Sequence, residues 1–373
     1  MDIRKRIRCA FAALLFAFTS SSVSAGYYTS LIVFGDSLLD NGNALLYNLG
    51  TPGLGAGLGY LVPTDLTLPP YPAGATQYTA PGGKSAVEVL AQRLGLPPLA
   101  PSQLGGNNFA TGGATTGTLN FAGDGALVPN PSPFPGVDPG TPFYPGLAGI
   151  GIRTEVAQFE TRLAGSPADP GALYVVMGGP NDIFLNALLS QPQDPAASVG
   201  NLVAAIGDLY ALGARIILVP NQPDIGKAPG FLGGPSAAGV TALTIAFNAL
   251  LASAIPNLES SLAGLDILPF DTFGAFNDLL ADAASLGFTD TTHPCYLLGA
   301  ACDPAQFVFW DMDHPTPRVQ AILGNEFFVA VVPEPRTIAL LALGLLILFL
   351  ARRRAVLSAG SAIEKVGRGA AHW

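Results

Sequence analysis

The order of hydrophobic and polar positions divides the middle of the chain into short and long apolar segments. Four runs of four to six residues, bounded by Gly, Pro or Asp, predict buried strands at residues 31–34, 173–177, 215–219 and 265–270. Apolar residues at helical spacing predict helices at residues 85–94, 154–163, 196–212, 236–255 and 273–286. Because strands alternate with helices, the pattern predicts an α/β fold, in which helices cover both faces of a parallel sheet.

Two long stretches interrupt this alternation, at residues 50–83 and 117–151. Both are rich in Gly and Pro and contain Phe and Tyr. Loops of this length inside a compact domain are usually functional or mobile. Since they are continuous with the sheet pattern, we interpret them as insertions and not as a second domain.

The N-terminus has the three parts of a secretory signal peptide. Basic residues come first, an apolar run follows at residues 9–18, and small residues lead to Ala25. An amphipathic first helix is the weaker interpretation, because the run lacks polar residues at helical spacing. We therefore expect residues 1–25 to be removed after Ala25 and the rest of the chain to be exported.

The C-terminal part carries a second apolar segment. Pro333, Glu334 and Pro335 precede an apolar stretch at residues 338–351, which three arginines at 352–354 follow. At about 1.5 Å per residue this stretch extends roughly 21 Å as a helix, which makes it a marginal span of a hydrocarbon core of about 30 Å. The arginines predict that residues 355–373 form a cytoplasmic tail.

Residues 332–354 resemble the PEP-CTERM sorting tail of Gram-negative bacteria. The resemblance implies an exosortase-like processing enzyme as a partner, although the chain departs from the pattern by continuing to Trp373. An ordinary single-span anchor is the alternative. In both cases we expect the body on the outer side of the inner membrane, with release to the cell surface or extracellular matrix if the tail is cleaved.

Charge and hydropathy lead to different conclusions when residues 1–25 and 336–373 are left out. The mean hydropathy of +0.42 suggests a membrane protein, but much of the excess lies in the ends. Without residues 1–25 and 336–373 the chain holds 7 Lys and Arg against 24 Asp and Glu, a net charge of −17. Such an acidic body is unsuited to binding nucleic acid or anionic membranes. Charged residues make up 12% and apolar residues 49% of the chain, which argues against a coiled coil and against disorder.

Cysteine usage agrees with export. Cys9 leaves with the signal peptide, so Cys295 and Cys302 remain, seven positions apart. Two such cysteines usually form a disulfide in an oxidising compartment, and two free thiols are the alternative. A metal site is disfavoured, because His293 alone is nearby and two more ligands would be needed.

Small and polar residues follow the predicted strands, at the edge where open parallel sheets bind ligands. Ser37 follows the first strand, Asn181 follows the second, and a glycine-rich stretch at residues 105–115 lies between them. Late in the chain Asp311 precedes His314 by three positions, so both side chains can face the same way. Taken individually, the spacing favours a helix cap for Ser37, and the alternatives are a turn residue for Asn181 and a linker for the glycine-rich stretch.

Together, in this order, these segments resemble the GDSL or Ser-Gly-Asn-His hydrolase superfamily, in particular its plant and autotransporter branch. The matching blocks are residues 34–38 with 40–43, 108–110 with 112–114, Gly179 with Asn181 and Asp182, and Asp311 with His314 and Pro315. The resemblance covers nearly all of residues 26–331. It implies a three-layer, flavodoxin-like doubly wound parallel sheet and a carboxylic ester hydrolase (esterase or lipase) that needs no cofactor and no metal.

The resemblance also implies roles for individual residues. Ser37 would be the nucleophile, His314 the general base and Asp311 the residue that orients and stabilises the imidazole. The backbone N–H groups of Ser37 and Gly113 and the amide of Asn181 would bind the oxyanion, with Gly112 as the alternative to Gly113. Three further residues would support the nucleophile turn without reacting: Asp36, Asp40 and Asn43.

Several alternatives remain at this stage. Asp290 and His293 repeat the Asp-x-x-His-Pro spacing, but we expect His293 to be a surface or structural residue. A non-catalytic surface or matrix protein with this fold is the rival class, and a polysaccharide acetyl esterase is the rival enzyme. The substrate could be an ester of a lipid, a small molecule or a glycan, with a pocket expected along the two insertions. The Gly-x-Ser-x-Gly elbow of α/β-hydrolases is absent.

Overall fold

The computed structural model describes residues 27–48, 75–125, 127, 140, 144–332, 341, 343–350 and 352–353. The chain divides into two units, Met1–Val331 and Val332–Trp373. The predicted signal peptide, most of the first insertion, the Pro-Glu-Pro motif and the predicted cytoplasmic tail lie outside the described residues.

A parallel sheet of four strands forms the centre of the first unit. The strands are β1 (Leu31–Gly35), β2 (Leu173–Met177), β3 (Ile216–Pro220) and β4 (Asp266–Phe270). They lie in the order β1-β2-β3-β4, and every neighbouring pair is parallel. The α/β prediction is confirmed, and each predicted strand boundary lies within one residue of the observed one.

A further piece of chain borders the free edge of β1. Asn108 forms a parallel bridge with Val33, whose N–H donates to the Asn107 carbonyl (3.0 Å) and whose carbonyl accepts from Phe109 N–H (2.8 Å). The chain thus moves to one side of β1 for residues 107–109 and to the other side for β2. This reversal is the switch point of a doubly wound sheet, where a crevice opens at the carboxyl ends of the strands.

Both faces of the sheet are buried, because side chains alternate along each strand. On one face Phe34 stacks on Phe109 (ring centroids 5.3 Å apart), and Phe159 meets Phe34 edge-on at 5.6 Å. Val33 and Val175 point to the opposite face and are fully buried as well. The cluster at Phe34 anchors β1, which carries the chain into the crevice.

The described part of residues 27–332 contains eight α-helices. They are α1 (Asn43–Asn48), α2 (Ala86–Arg93), α3 (Ile152–Leu163), α4 (Pro180–Leu188), α5 (Pro195–Leu212), α6 (Ala237–Ser261), α7 (Thr272–Ala281) and α8 (Pro317–Val331). Helix starts follow ordinary capping rules: Asp194 accepts the Ala197 N–H (2.9 Å) ahead of Pro195 at the first helical position of α5.

Helix α6 extends past the proline at which the sequence pattern predicts its end. The predicted helix stops at residue 255, whereas α6 continues through Pro256 to Ser261. Proline removes one helical hydrogen bond and crowds the preceding turn. Ile255 and Leu258, on either side of it, pack into the buried cluster against the sheet, and this burial favours continuation of the helix.

Helix α7 is shorter than predicted. It ends at Ala281, and residues 282–287 form turns that close where Gly287 has φ +81° and Phe288 N–H donates back to Ala283 O (2.8 Å). Helices α1, α4 and α8 lie outside the five predicted ranges. Helices α1 and α4 are short and follow the carboxyl ends of the first two strands, so their positions depend on the crevice.

Helices α5 and α6 are long and apolar enough to cross a membrane by length and composition. Core helices of soluble proteins pass the same test, and both helices contribute buried residues to the cluster against the sheet. In the second unit, residues 343–350 are helical and their apolar side chains are exposed, for example Ile347 and Phe349. The predicted span at residues 338–351 is therefore helical where it is described.

Candidate active site

Ser37 lies in a tight turn directly after β1. The Asp36 carbonyl accepts the N–H groups of Leu39 (3.1 Å) and Asp40 (3.0 Å), and its side chain accepts the Leu38 N–H (3.0 Å). Gly35 must be a glycine, because a Cβ there would lie 2.5 Å from the carbonyl oxygen of Met177 on β2. The close approach of the two backbones holds the serine at the edge of the sheet.

Asp311 and His314 form a turn whose geometry follows from their spacing. One oxygen of Asp311, Oδ1, accepts the backbone N–H groups of Asp313 (2.9 Å) and His314 (2.6 Å). Its second oxygen, Oδ2, lies 2.7 Å from His314 Nδ1. With Nδ1 protonated, the imidazole donates to this carboxylate, which orients the ring.

The turn places His314 against the serine. Ser37 Oγ donates to His314 Nε2 across 2.6 Å, between residues 277 positions apart in the chain. The side chain of His314 is 2% exposed and that of Asp311 is fully buried. Ser37, His314 and Asp311 thus form one continuous chain of hydrogen bonds, in which His314 and Asp311 are buried and Ser37 is partly exposed to the cleft.

A second carboxylate, that of Asp313, faces the same imidazole nitrogen. Asp313 Oδ1 lies 3.1 Å from His314 Nδ1. Burial by itself lowers the pKa of His314, but the nearby carboxylates of Asp311 and Asp313 outweigh it and hold that pKa well above its usual value. The sequence pattern does not reveal Asp313, because its position between Asp311 and His314 carries no motif.

Asp40 connects the nucleophile turn to the glycine-rich stretch. Its Oδ1 accepts the N–H groups of Gly42 and Asn43 (2.7 Å each), and its Oδ2 accepts those of Ala44 (3.0 Å) and Gly112 (2.8 Å). Burial raises the pKa of Asp40 even though these four hydrogen bonds lower it. The carboxylate therefore joins the start of α1 to residue 112.

Asn43 and Asn108 strengthen the same connection. The Asn43 amide donates to the carbonyls of Asn108 (2.8 Å) and Ala110 (2.9 Å). In return, the Asn108 amide donates to the Leu39 carbonyl (2.7 Å) beside the nucleophile. Both side chains are fully buried. These bonds form a polar lattice around Ser37.

The residues expected to bind an oxyanion lie around the same cleft, a space of about 320 Å³ that Ser37, Asn181 and His314 help to line. Asn181 is 3% exposed, and its amide donates to the Ala114 carbonyl (3.1 Å), next to Gly113. Gly113 has φ +80°, and a Cβ there would lie 2.5 Å from Asn120 Oδ1, so the position requires glycine.

Two further buried acids lie beneath the serine. Asp36 is 1% exposed, and burial raises its pKa to about 7, although the Leu38 N–H and the positive charge of His314 oppose the shift. Glu155, on α3, accepts the Gly35 N–H (2.8 Å), and burial raises its pKa well above the usual range. Sequence reasoning missed Glu155, since an acid in the first turn of a helix is ordinary.

An aromatic side chain from the end of the first insertion covers the histidine. The ring centroid of Tyr78 lies 4.8 Å from that of His314, and Thr79 donates to the Pro315 carbonyl (3.0 Å). Tyr78 also lies beside Gly112, where a Cβ would be 2.2 Å from its hydroxyl. Residues 75–83 thus contribute to the site, and no motif in the sequence indicated this.

The second copy of the Asp-x-x-His spacing has the same local turn in a different setting. Asp290 accepts the His293 N–H (2.8 Å) and lies 2.9 Å from His293 Nδ1. The His293 side chain is 73% exposed, and its Nδ1 also meets the Thr292 hydroxyl (3.0 Å). The expectation that His293 is a surface residue agrees with this exposure.

Cys295 and Cys302 form a disulfide, with Cα atoms 5.1 Å apart. The Cys295 N–H donates to the Phe309 carbonyl (3.1 Å), and the Tyr296 N–H donates to the Trp310 carbonyl (3.0 Å). The disulfide loop therefore packs beside the strand-like segment that leads into the Asp311–His314 turn.

Asp311, Asp313 and His314 are also the one group of three potential metal ligands within the described residues, with ligand atoms inside 4.8 Å. Both ring nitrogens of His314 already have hydrogen-bond partners, Ser37 on Nε2 and Asp311 on Nδ1. The cluster therefore has the donor arrangement of a serine triad.

A parallel α/β sheet with a buried Ser–His–Asp chain at its switch point defines a class of nucleophilic enzymes. The profile of the GDSL-like Lipase/Acylhydrolase family matches residues 31–327, and the chain belongs to this family.

Curated relatives point the same way. The chain is 29% identical to an uncharacterized protein of the trpE-trpG intergenic region of Pseudomonas putida (90% of this chain, 54% of the relative). It is 26% identical to a GDSL esterase/lipase of Arabidopsis thaliana (80% and 89%) and 29% identical to the esterase EstA of Pseudomonas aeruginosa (87% and 50%). The chain spans about half the length of the two Pseudomonas relatives.

The raised pKa of Asp36 makes a testable prediction about stability. Since the folded chain binds this proton more tightly than the unfolded chain, the contribution of Asp36 to stability falls as the pH rises from about 4 to about 7. Asp36→Asn keeps an oxygen for the Leu38 N–H and removes the titration. We expect the difference in unfolding free energy, variant minus wild type, to be roughly 2 to 3 kcal/mol larger at pH 8 than at pH 5. Urea denaturation at the two pH values measures this difference. An equal difference at both pH values would contradict the buried, titrating carboxyl.

Proposed function

We propose that the domain is a serine hydrolase that cleaves carboxylic esters through an acyl-enzyme on Ser37. The observation that carries the proposal is the buried chain of hydrogen bonds from Ser37 Oγ to His314 Nε2 (2.6 Å) and from His314 Nδ1 to Asp311 (2.7 Å). A hydroxyl in this position can lose its proton to the imidazole while it attacks a carbonyl. Membership in the GDSL-like family supports the ester as the bond cleaved.

The reaction has two halves. Ser37 Oγ attacks the ester carbon while His314 Nε2 takes its proton, and the carboxylate of Asp311 stabilises the resulting imidazolium. The tetrahedral intermediate then expels the alkoxide, to which His314 returns the proton, so an alcohol leaves and the acyl group stays on Ser37. Water, deprotonated by His314, attacks the acyl-enzyme and releases the carboxylic acid and the free serine.

The oxyanion would be held by the N–H groups of Ser37 and Gly113 and by the Asn181 amide. Gly112 N–H already donates to Asp40 (2.8 Å), which supports Gly113 as the donor. Asn181 lines the same cleft as Ser37 and His314. One such donor typically contributes on the order of 3 kcal/mol to lowering the barrier. Asp40, Asn43 and Asn108 would preorganise this hole by holding the two backbone segments together.

Substitution of the two histidines tests this proposal. We expect His314→Ala to lower kcat/KM for a chromogenic ester by roughly 10⁴-fold or more, because the serine loses its base. The matched variant His293→Ala should keep wild-type activity, since His293 has the same local turn but is exposed. Thermal melts of both variants would show that they are folded.

A fluorophosphonate probe separates an enzyme from a non-catalytic protein with this fold. The probe should label Ser37 in the wild type and in His293→Ala, and Ser37→Ala should prevent labelling. A folded wild-type protein that neither hydrolyses esters nor reacts with the probe would refute the proposed function.

The second carboxylate at His314 predicts a shift in the pH profile. The base must be neutral, so the acidic limb of kcat/KM reports the pKa of His314 in the free enzyme. Because Asp313 raises this pKa, Asp313→Asn should lower it and move the limb to lower pH. The control is Asp266→Asn, which removes an exposed carboxylate at the amino end of β4 and should leave the limb in place. An unchanged limb in Asp313→Asn would show that this carboxylate does not act on the imidazole.

We further propose that the domain acts outside the cytoplasm, anchored on the outer side of the inner membrane. The N-terminal pattern at residues 1–25, the net acidic body and the Cys295–Cys302 disulfide support this location. The tail at residues 332–354 would serve as anchor and as the segment on which an exosortase-like enzyme acts.

Mass spectrometry of the protein from a Gram-negative host tests the export proposal. We expect an N-terminus at Gly26 and no alkylation of Cys295 or Cys302 without prior reduction. A chain that keeps residues 1–25 and has both thiols free would contradict export.

A further inference from the structure

A larger cavity lies beside the catalytic cleft. It occupies about 630 Å³ between the loop at residues 223–228, helix α7 and helix α8. Its walls are mainly apolar, and typical side chains are Ile225, Phe276, Leu279, Phe309, Val319 and Ile322. We call this space the lateral cavity.

The lateral cavity shares part of its wall with the cleft in which the reaction would occur. Leu38, Pro223, Ile225 and Asp313 line both the lateral cavity and the catalytic cleft. Leu38 directly follows the serine in the chain, and Asp313 directly precedes His314. The mouth of the cavity is therefore adjacent to both reacting side chains, and a group attached to the ester carbonyl can enter it.

We propose that the lateral cavity binds the acyl chain of the ester, and that the enzyme therefore prefers acyl chains of several carbons to acetyl. This inference rests on the proposed function and specifies its substrate class. The catalytic cleft is the smaller of the two spaces and is lined by the reacting side chains of Ser37 and His314. The larger, apolar space is then the place where a hydrocarbon chain gains affinity, at roughly four-fold per buried CH₂.

The chemistry favours the acyl chain over the alcohol as the occupant. The acyl group stays bound to Ser37 through both halves of the reaction, whereas the alcohol must leave and water must replace it. An apolar cavity suits the part that stays. The alcohol and the water then use the polar side of the cleft, where His314 Nε2 faces the serine.

The residues at the far end of the lateral cavity determine which charge and length of acyl chain it can bind. Ala275, Leu279, Ile322 and Glu326 also line an open groove between α7 and α8. Burial, and secondarily the charge of Asp278, raises the pKa of Glu326, so this exit disfavours a negative charge. The chain that fits carries no negative charge at its far end, and it can extend into the groove when it is long.

Two substrate series test the inference. The first lengthens the acyl chain, from p-nitrophenyl acetate to butyrate, hexanoate and octanoate, at concentrations below micelle formation. The second lengthens the alcohol instead, from ethyl to octyl acetate. We expect kcat/KM to rise at least ten-fold from acetate to hexanoate in the acyl series and to change little in the alcohol series. A rise in the alcohol series alone would assign the cavity to the alcohol and overturn the inference.

A blocking variant connects the preference to the lateral cavity. Ala275→Trp fills it from α7, and the ratio of octanoate to acetate kcat/KM should fall at least ten-fold. The matched control is Ala281→Trp on the same helix, where the side chain is exposed and lines neither space, so the ratio should remain that of the wild type. If Ala275→Trp does not fold, Ala275→Val should lower the ratio in the same direction.

The outcomes separate this inference from the proposed function. Hydrolysis of acetate with no gain from longer acyl chains, or with the same ratio in folded Ala275 variants, would refute the acyl cavity and leave the serine hydrolase intact. Absence of both hydrolysis and fluorophosphonate labelling in the wild type would instead refute the proposed function.

Discussion

The buried carboxylate of Asp40 holds the catalytic edge of this protein together. It accepts four backbone N–H groups, three at the start of α1 and one from Gly112. Burial disfavours the negative charge of this carboxylate, and the four N–H donors compensate for the hydrogen bonds to water that it loses on folding. Without this carboxylate the nucleophile turn and the glycine-rich stretch would each expose unsatisfied N–H groups to a dry interior. Together with Asn43 and Asn108, Asp40 thus fixes the relative position of Ser37 and Gly113 without needing to touch substrate.

Burial also explains the electrostatics of the site. Asp36, Asp40 and Glu155 lie close together beneath the serine, and the pKa of each carboxyl is raised chiefly because water is excluded. The pKa of His314 is raised for a different reason, since two carboxylates face its Nδ1. Exclusion of water thus raises the pKa of the acids near the serine, whereas the two carboxylates at Nδ1 raise the pKa of the imidazole against the opposing effect of burial.

Most of the fold was predictable because its signals are local. Buried strands in an α/β protein are short apolar runs, and all four appear within one residue of their predicted bounds. The errors occur where tertiary packing competes with local preference: α6 passes Pro256 because its flanking residues are buried, and α7 ends early at a chain turn. Tyr78, Asp313 and Glu155 were missed at the site because nothing in their spacing distinguishes them from ordinary residues. The roles assigned to Ser37, His314 and Asp311 remain predictions about chemistry, now with a geometry that allows them.

The two Asp-x-x-His turns show the division between sequence and tertiary structure. Spacing alone determined the local turn, because an Asp side chain reaches the N–H groups two and three residues ahead, and Asp290 and Asp311 both do so. It could not decide which histidine meets the serine, since that depends on residues 277 positions apart being packed against each other. Tertiary packing buries His314 beside Ser37 and leaves His293 exposed to solvent. It also forms the apolar cavity next to Ser37 and His314. Local hydrogen bonds are encoded within a few residues, whereas burial and cavity shape arise from the joint packing of the sheet and helices.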